Sequence, residues 1–75
     1  MNRLPDLTPA DIIRIIEARG FVLDRTKGSH RIYYQRETHR RVVVPFHRHD
    51  LPDGTCREIL REAGIPHSDF AHLLS

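Results

Sequence analysis

The residues best suited to chemistry lie in one stretch, Lys27-Gly28-Ser29-His30-Arg31-Ile32-Tyr33-Tyr34. Imidazole has the unperturbed pKa closest to neutral, so His30 can serve as a general acid or base with little tuning. Lys27 and Arg31 flank it, and such a setting favours an anionic group. RNA carries its own nucleophile, the 2′-hydroxyl. Its cleavage needs a base for that proton, an acid for the leaving 5′-oxygen, and cations for the charge that builds on phosphorus. One histidine on a basic surface is therefore enough for a minimal nuclease. His30 is the candidate proton-transfer group, as base, as acid or as both in turn. Lys27 and Arg31 are candidates to hold the scissile phosphate, and Ser29 to donate a hydrogen bond to a phosphate oxygen. From residues alone, a lone histidine is more often a hydrogen-bonded strand-end residue than a catalyst.

Other groups compete for attention. His47-Arg48-His49-Asp50 holds two histidines and a carboxylate. Neighbours two apart in a loop need further ligands, and neither a cysteine pair nor a helical His-x-x-x-His provides them, so no metal is expected. His47 reads better as an RNA contact or second proton-transfer group, with a backbone-capping histidine as the structural alternative. Tyr33 and Tyr34 can stack on unpaired bases, but at least one of them should be core. Arg61 reads as a solvated helix residue pairing with Glu58 and Glu62, Arg57 stays open between that role and a phosphate contact, and Cys56 reads as a core thiol.

The charge distribution supports the same stretch. Across 75 residues with formal net charge +2, residues 25–48 hold seven basic side chains against one acidic, whereas residues 1–24 hold three against four and residues 49–75 two against five. A localised basic stripe is the electrostatic footprint of phosphate binding. The length implies a single domain spanning residues 1–75 with a small core, and 39% hydrophobic with 29% charged residues is globular composition. No apolar run is long enough to span a membrane, the first residues lack the apolar core of a signal peptide, and a lone cysteine forms no internal disulfide. The cytoplasm is the expected setting.

The elements that must position these groups follow from pattern. Thr8 as N-cap, Pro9 in the first turn, the stripe Ile12, Ile13, Ile15, Ile16 and the stop at Gly20 predict a helix from about Pro9 to Arg19. Phe21 to Leu23 reads as a strand, Asp24 to Gly28 as a turn, Ser29 to Arg36 as a second strand, and Arg40 to Pro45 as a third. Short connections make them an antiparallel meander, and the run Val42-Val43-Val44 suggests a strand buried on much of both faces, or at least central to the core. Asp53-Gly54-Thr55 opens a helix with Cys56, Ile59, Leu60 and Ala63 on one face and Gly64 as its stop. A short last helix follows with Phe70, Leu73 and Leu74 buried. The expectation is an α+β fold, α-β-β-β-α, with a three-stranded antiparallel sheet and helices on one face. That is the arrangement of the double-stranded-RNA-binding domain. Alternation places His30 with Ile32 and Tyr34 on one face and Ser29, Arg31 and Tyr33 on the other, without saying which face meets the helices.

Four motifs then line up in order: Gly28-Ser29-His30 followed by Ile32-Tyr33; Val42-Val43-Val44-Pro45 with His47 two residues on; Leu51 and then Gly54-Thr55; and Arg57-x-Ile59-Leu60 closing with Ala63-Gly64-Ile65. Together they resemble the HicA toxin family, also called YcfA-like, of bacterial toxin–antitoxin modules. The departures are Cys56 in place of a more usual leucine and Pro66 in place of a helix-capping serine. The resemblance implies an mRNA interferase, a metal-independent endoribonuclease without cofactor that depends on the histidine of the Gly-Ser-His segment, here His30. It also implies a HicB-type antitoxin that covers the active site. The alternatives are a non-catalytic RNA-binding module on the same fold and a protein-interaction domain whose basic stripe meets an acidic partner.

Overall fold

The computed structural model describes residues 7–47, 50–66 and 68. Among these the order is α1 (Pro9–Glu17), β1 (Val22–Lys27), β2 (His30–Gln35), β3 (Arg40–Pro45) and α2 (Asp53–Ala63). The strands form one antiparallel sheet in the order β1-β2-β3. The expected last helix, with Phe70, Leu73 and Leu74, lies outside the described residues.

Helix α1 begins with a reciprocal capping box. The Thr8 hydroxyl accepts from the Asp11 N–H at 3.2 Å, and the Asp11 carboxylate accepts from the Thr8 N–H at 3.0 Å. At the other end the Phe21 N–H reaches the Ile16 carbonyl and the Gly20 N–H the Glu17 carbonyl, with Gly20 at φ +91°. That is a Schellman closure, which needs the left-handed residue that glycine supplies. α2 ends in the same way, through Ile65 to Leu60, Gly64 to Arg61 and Gly64 at φ +75°.

The core joins Ile12, Ile13, Ile15 and Ile16 of α1 to Cys56, Ile59, Leu60 and Ala63 of α2, and to Tyr33, Val42 and Val44 of the sheet. Phe21, Ile65 and the bridged pair Leu7 and Leu51 close its margins. Cys56 is buried, and desolvation first, then Asp53 and Asp50, pushes its thiol pKa up, so it stays protonated and inert as expected.

Two expectations about the sheet are corrected. The valine run is not buried on both faces. β3 is an edge strand, and while Val42 and Val44 are fully buried, Val43 is 44% exposed. β1 does not end at Leu23 but continues to Lys27, through residues expected to be a turn. Every residue of β1 is exposed, so the strand carries no apolar alternation to reveal it. Its conformation comes from the backbone ladder to β2. A register shift between Leu23 and Arg25 leaves Asp24 as the extra residue of a bulge.

One end of the sheet secures both helices. Gln35 and Arg40 are cross-strand partners. Gln35 Nε2 donates to the Arg19 carbonyl at the end of α1, and an Arg40 guanidinium N–H donates to the Glu62 carbonyl of α2 at 3.0 Å. Both bonds satisfy carbonyls that a helix C-terminus leaves open, and the Arg40 charge suits the negative end of the dipole.

Candidate functional site

The opposite end of the sheet carries the hairpin between β1 and β2. Lys27 pairs with His30, so the connection is the two residues Gly28 and Ser29. Gly28 sits at φ +59° while Ser29 is not in the left-handed region, the pattern of the turn type whose first central position favours glycine. The Ser29 carbonyl accepts from the Phe46 N–H at 2.6 Å. That bond extends the β2–β3 ladder by one pair and anchors the turn to the exit of β3.

Burial settles the face of His30. Tyr33 is 2% exposed and packs on the helix side with Val42 and Val44. His30, Ile32 and Tyr34 therefore point away from the helices, onto the open face, with Arg41, Val43 and Pro45 of β3. On β1 the register places Lys27 opposite His30 and Arg25 opposite Ile32, on the same face. Directly opposed residues bring their Cβ atoms to about 4.5–5.5 Å. His30 thus lies between Lys27 and Pro45 in an exposed position. Its ring has no hydrogen-bond partner among the described residues, and Lys27 has no carboxylate partner among them.

Arg31 follows a different course. It points to the helix-side face at the same sheet end, where its guanidinium lies 3.6 Å from the Phe46 ring centroid. Ser29 is exposed at the turn and His47 is exposed just beyond β3. Lys27, Ser29, His30, Arg31 and His47 are therefore gathered at one end of the sheet; Lys27 shares the face of His30, and Arg31 takes the opposite one. Arg48 and His49 lie outside the described residues. Among the described residues, no group of three histidine, cysteine or acidic side chains is placed to hold a metal ion.

On the far side of Pro45 a groove of 430 Å³ runs between β3 and α2, with Val43, Pro45 and Thr55 in its wall and Glu58 and Glu62 beside it. Two carboxylates make it a poor seat for phosphate. Glu58 is held ionised, its pKa lowered chiefly by its hydrogen bond to Arg61. Arg57 bridges Asp53 at 2.8 Å. The α2 arginines thus engage carboxylates of their own helix.

Alternation alone does not reveal a second cluster on the open face, at the end away from His30. Arg41 lies 4.6 Å from the Tyr34 ring centroid and bridges Asp24 at 2.9 Å. The Tyr34 hydroxyl and His39 Nδ1 are 2.8 Å apart. In the sequence Arg41 is one cation of the basic stripe and His39 one polar loop residue. Their meeting depends on the β2–β3 register and on His39 adopting φ +60°.

Fold and site define a class, a small α+β domain that presents a histidine and cations from a hairpin onto a sheet face that none of the described helices covers. A family model described as the HicA toxin of bacterial toxin–antitoxin matches residues 9–65, well over half the chain, and the chain belongs to that family. Membership places it on the toxin side of a toxin–antitoxin pairing. A search of the curated proteins finds no match. No helix among the described residues is long and apolar enough to cross a membrane.

Proposed function

We propose that the protein is an endoribonuclease, an mRNA interferase that cleaves single-stranded mRNA in the cytoplasm through His30, and that a HicB-type antitoxin neutralises it. The observation that carries this reading is His30 itself. It is exposed on the open face, directly across from Lys27, at a hairpin end where cations gather, in a chain of the HicA family.

The chemistry follows from the substrate. A base takes the 2′-hydroxyl proton as that oxygen bonds to the adjacent phosphorus. The bond from phosphorus to the 5′-oxygen breaks, and an acid delivers a proton to the departing oxygen. The products are a 2′,3′-cyclic phosphate and a free 5′-hydroxyl, with no change of oxidation state. His30 moves the proton in this scheme. Lys27 holds the phosphate on the same face and offsets the charge that grows on its oxygens. Ser29 donates to a phosphate oxygen, and Arg31 and His47 contact the strand from the edge of the site. No step in this scheme calls on a metal or an organic cofactor.

The test is cleavage of a labelled single-stranded RNA by purified protein in excess EDTA, beside His30→Ala. Cleavage by the first and not the second is expected. If both proteins are folded and bind RNA but neither cleaves, the chain is an RNA-binding module. If neither binds RNA in a salt-sensitive way, the basic stripe serves a protein partner.

A further inference from the structure

The cluster around Tyr34 does nothing for the core. Its three side chains project from the face opposite the helices, and Tyr34 is only half-buried where Tyr33 beside it is sealed. Yet it is ordered by several interactions. The Asp24–Arg41 bridge spans β2 and holds the guanidinium against the Tyr34 ring, with the Arg41 side chain still 56% exposed. His39 fixes the hydroxyl end, its ring 6.3 Å from that of Tyr34 and tilted by 57°. It does so from a left-handed backbone conformation that is uncommon for a residue with a side chain. The outcome is a preset stack of the Arg41 guanidinium on the Tyr34 ring, with the guanidinium reaching solvent.

We propose that Tyr34, Arg41 and His39 form a second nucleotide subsite, at which an unpaired base of the RNA strand stacks. The strand then crosses the open face along β2, from the scissile phosphate at His30 to this platform. This rests on the ribonuclease reading for the identity of the strand. Three features favour RNA as the occupant. Both clusters share one face, four residues apart on one strand, which is roughly 13 Å at strand rise. Arg25 and Lys27 flank that path from β1. Between the clusters lie Ile32 and the 44% exposed Val43, apolar side chains that leave a base edge free. Aromatic and arginine planes are the surfaces on which unstacked bases pack, whatever their identity. The platform therefore contributes length-dependent affinity and little sequence preference.

The test reads binding rather than cleavage, in full-length protein carrying His30→Ala so that the RNA stays intact. Fluorescence anisotropy is measured with a labelled single-stranded octanucleotide and with a dinucleotide. Adding Tyr34→Leu is expected to weaken the octanucleotide by roughly 5- to 150-fold, the range of one lost base stack, and to leave the dinucleotide unchanged. Tyr34→Phe keeps the ring and is expected to bind within about twofold of its parent. If Tyr34→Leu fails to fold, Arg41→Ala is the second variant, expected to cost about two- to fivefold on the octanucleotide alone. Equal octanucleotide affinity for parent and folded variant overturns the subsite, as does an equal loss for both lengths. A Tyr34→Leu protein that binds RNA normally but loses a co-purifying antitoxin assigns the face to a protein partner and overturns it too. The two readings fail separately. His30-dependent cleavage with no role for Tyr34 removes only the subsite, whereas Tyr34-dependent binding without any cleavage removes only the nuclease.

Discussion

Tyr33 and Tyr34 are neighbours in sequence and opposites in situation. Tyr33 faces the helices among Val42, Val44 and the isoleucines of α1, and is 2% exposed. Tyr34 faces outward under Arg41, with its hydroxyl on His39. The same contrast runs the length of β2 and β3. On one face the side chains close a core too small to spare any of them. On the other they are charged, aromatic or exposed apolar, and stability asks little of them. A 75-residue chain has scant core, so nearly all its buried area is concentrated in one layer between sheet and helices. The open face is thereby left free of core packing, and substitutions on the two faces should separate cleanly.

The largest separation is expected at Tyr33. Tyr33→Ala removes an aromatic ring from a sealed site and should cost about 3–5 kcal/mol, much of the stability of so small a domain. Thermal or urea unfolding reads this directly, and a Tyr33→Ala protein as stable as its parent breaks the comparison. His30→Ala is the counterpart on the open face. It should lower RNA cleavage by about 10²–10⁴-fold while the unfolding midpoint stays within about 0.5 kcal/mol of the parent, as for an exposed substitution. A large loss of stability would mean that His30 holds the hairpin together.

How much of this contrast the sequence reveals depends on the signal each element carries. α1 and β3 are legible because their cues are local: a cap, an isoleucine stripe and a glycine stop for one, and three valines ended by Pro45 for the other. Of the turn after β1 only Gly28 is legible, because the sequence reads the turn as Asp24 to Gly28 and puts Ser29 in the strand, whereas the turn is Gly28-Ser29. β1 is not legible, because Asp24-Arg25-Thr26-Lys27 owes its extended form to hydrogen bonds with β2 and buries nothing. The face of His30 is hidden because two adjacent tyrosines are equally able to be core, and only the packing of α1 and α2 against Val42 and Val44 selects Tyr33. Arg40 is misread for a related reason. In the sequence it belongs to the basic stripe, but it serves the end of α2, bonding a carbonyl 22 residues away.

That use of Arg40 gives the next prediction. Gly64 sits at φ +75°, and a Cβ placed there would lie 2.9 Å from the Arg40 guanidinium. Gly64→Ala should therefore cost about 1–2 kcal/mol from the left-handed backbone alone. The guanidinium can swing aside, but only by giving up its bond to the Glu62 carbonyl. In an Arg40→Ala background the same substitution should cost less, because no guanidinium remains to be displaced. A double-mutant cycle by urea unfolding measures the difference, and strict additivity would show that Arg40 and Gly64 do not share the end of α2. Cleavage should be untouched by either change, since both lie at the structural end of the sheet.

The smallest effect belongs to the capping box of α1, the part of the fold furthest in kind from the open face. Thr8→Ala should destabilise the domain by about 1 kcal/mol. Its partner Asp11 has a pKa lowered from the ordinary 3.8, first by the hydrogen bond from the Thr8 backbone N–H, with further help from the Thr8 hydroxyl and Arg14 against a desolvation that opposes it. A carboxyl depressed in the folded state binds its proton more readily in the unfolded chain. The stability it supplies is fully present above 3.8 and is lost as pH falls through the folded value. Asp11→Asn removes the titrating group, so parent and variant should differ by a constant amount from neutral pH down to about 5 and converge at lower pH. Unfolding midpoints taken across that range check the convergence. A gap that persists unchanged into the acid range would mean that the carboxylate charge contributes nothing to the cap. His30-dependent cleavage at neutral pH should be the same in both proteins, because α1 meets only the closed face of the sheet.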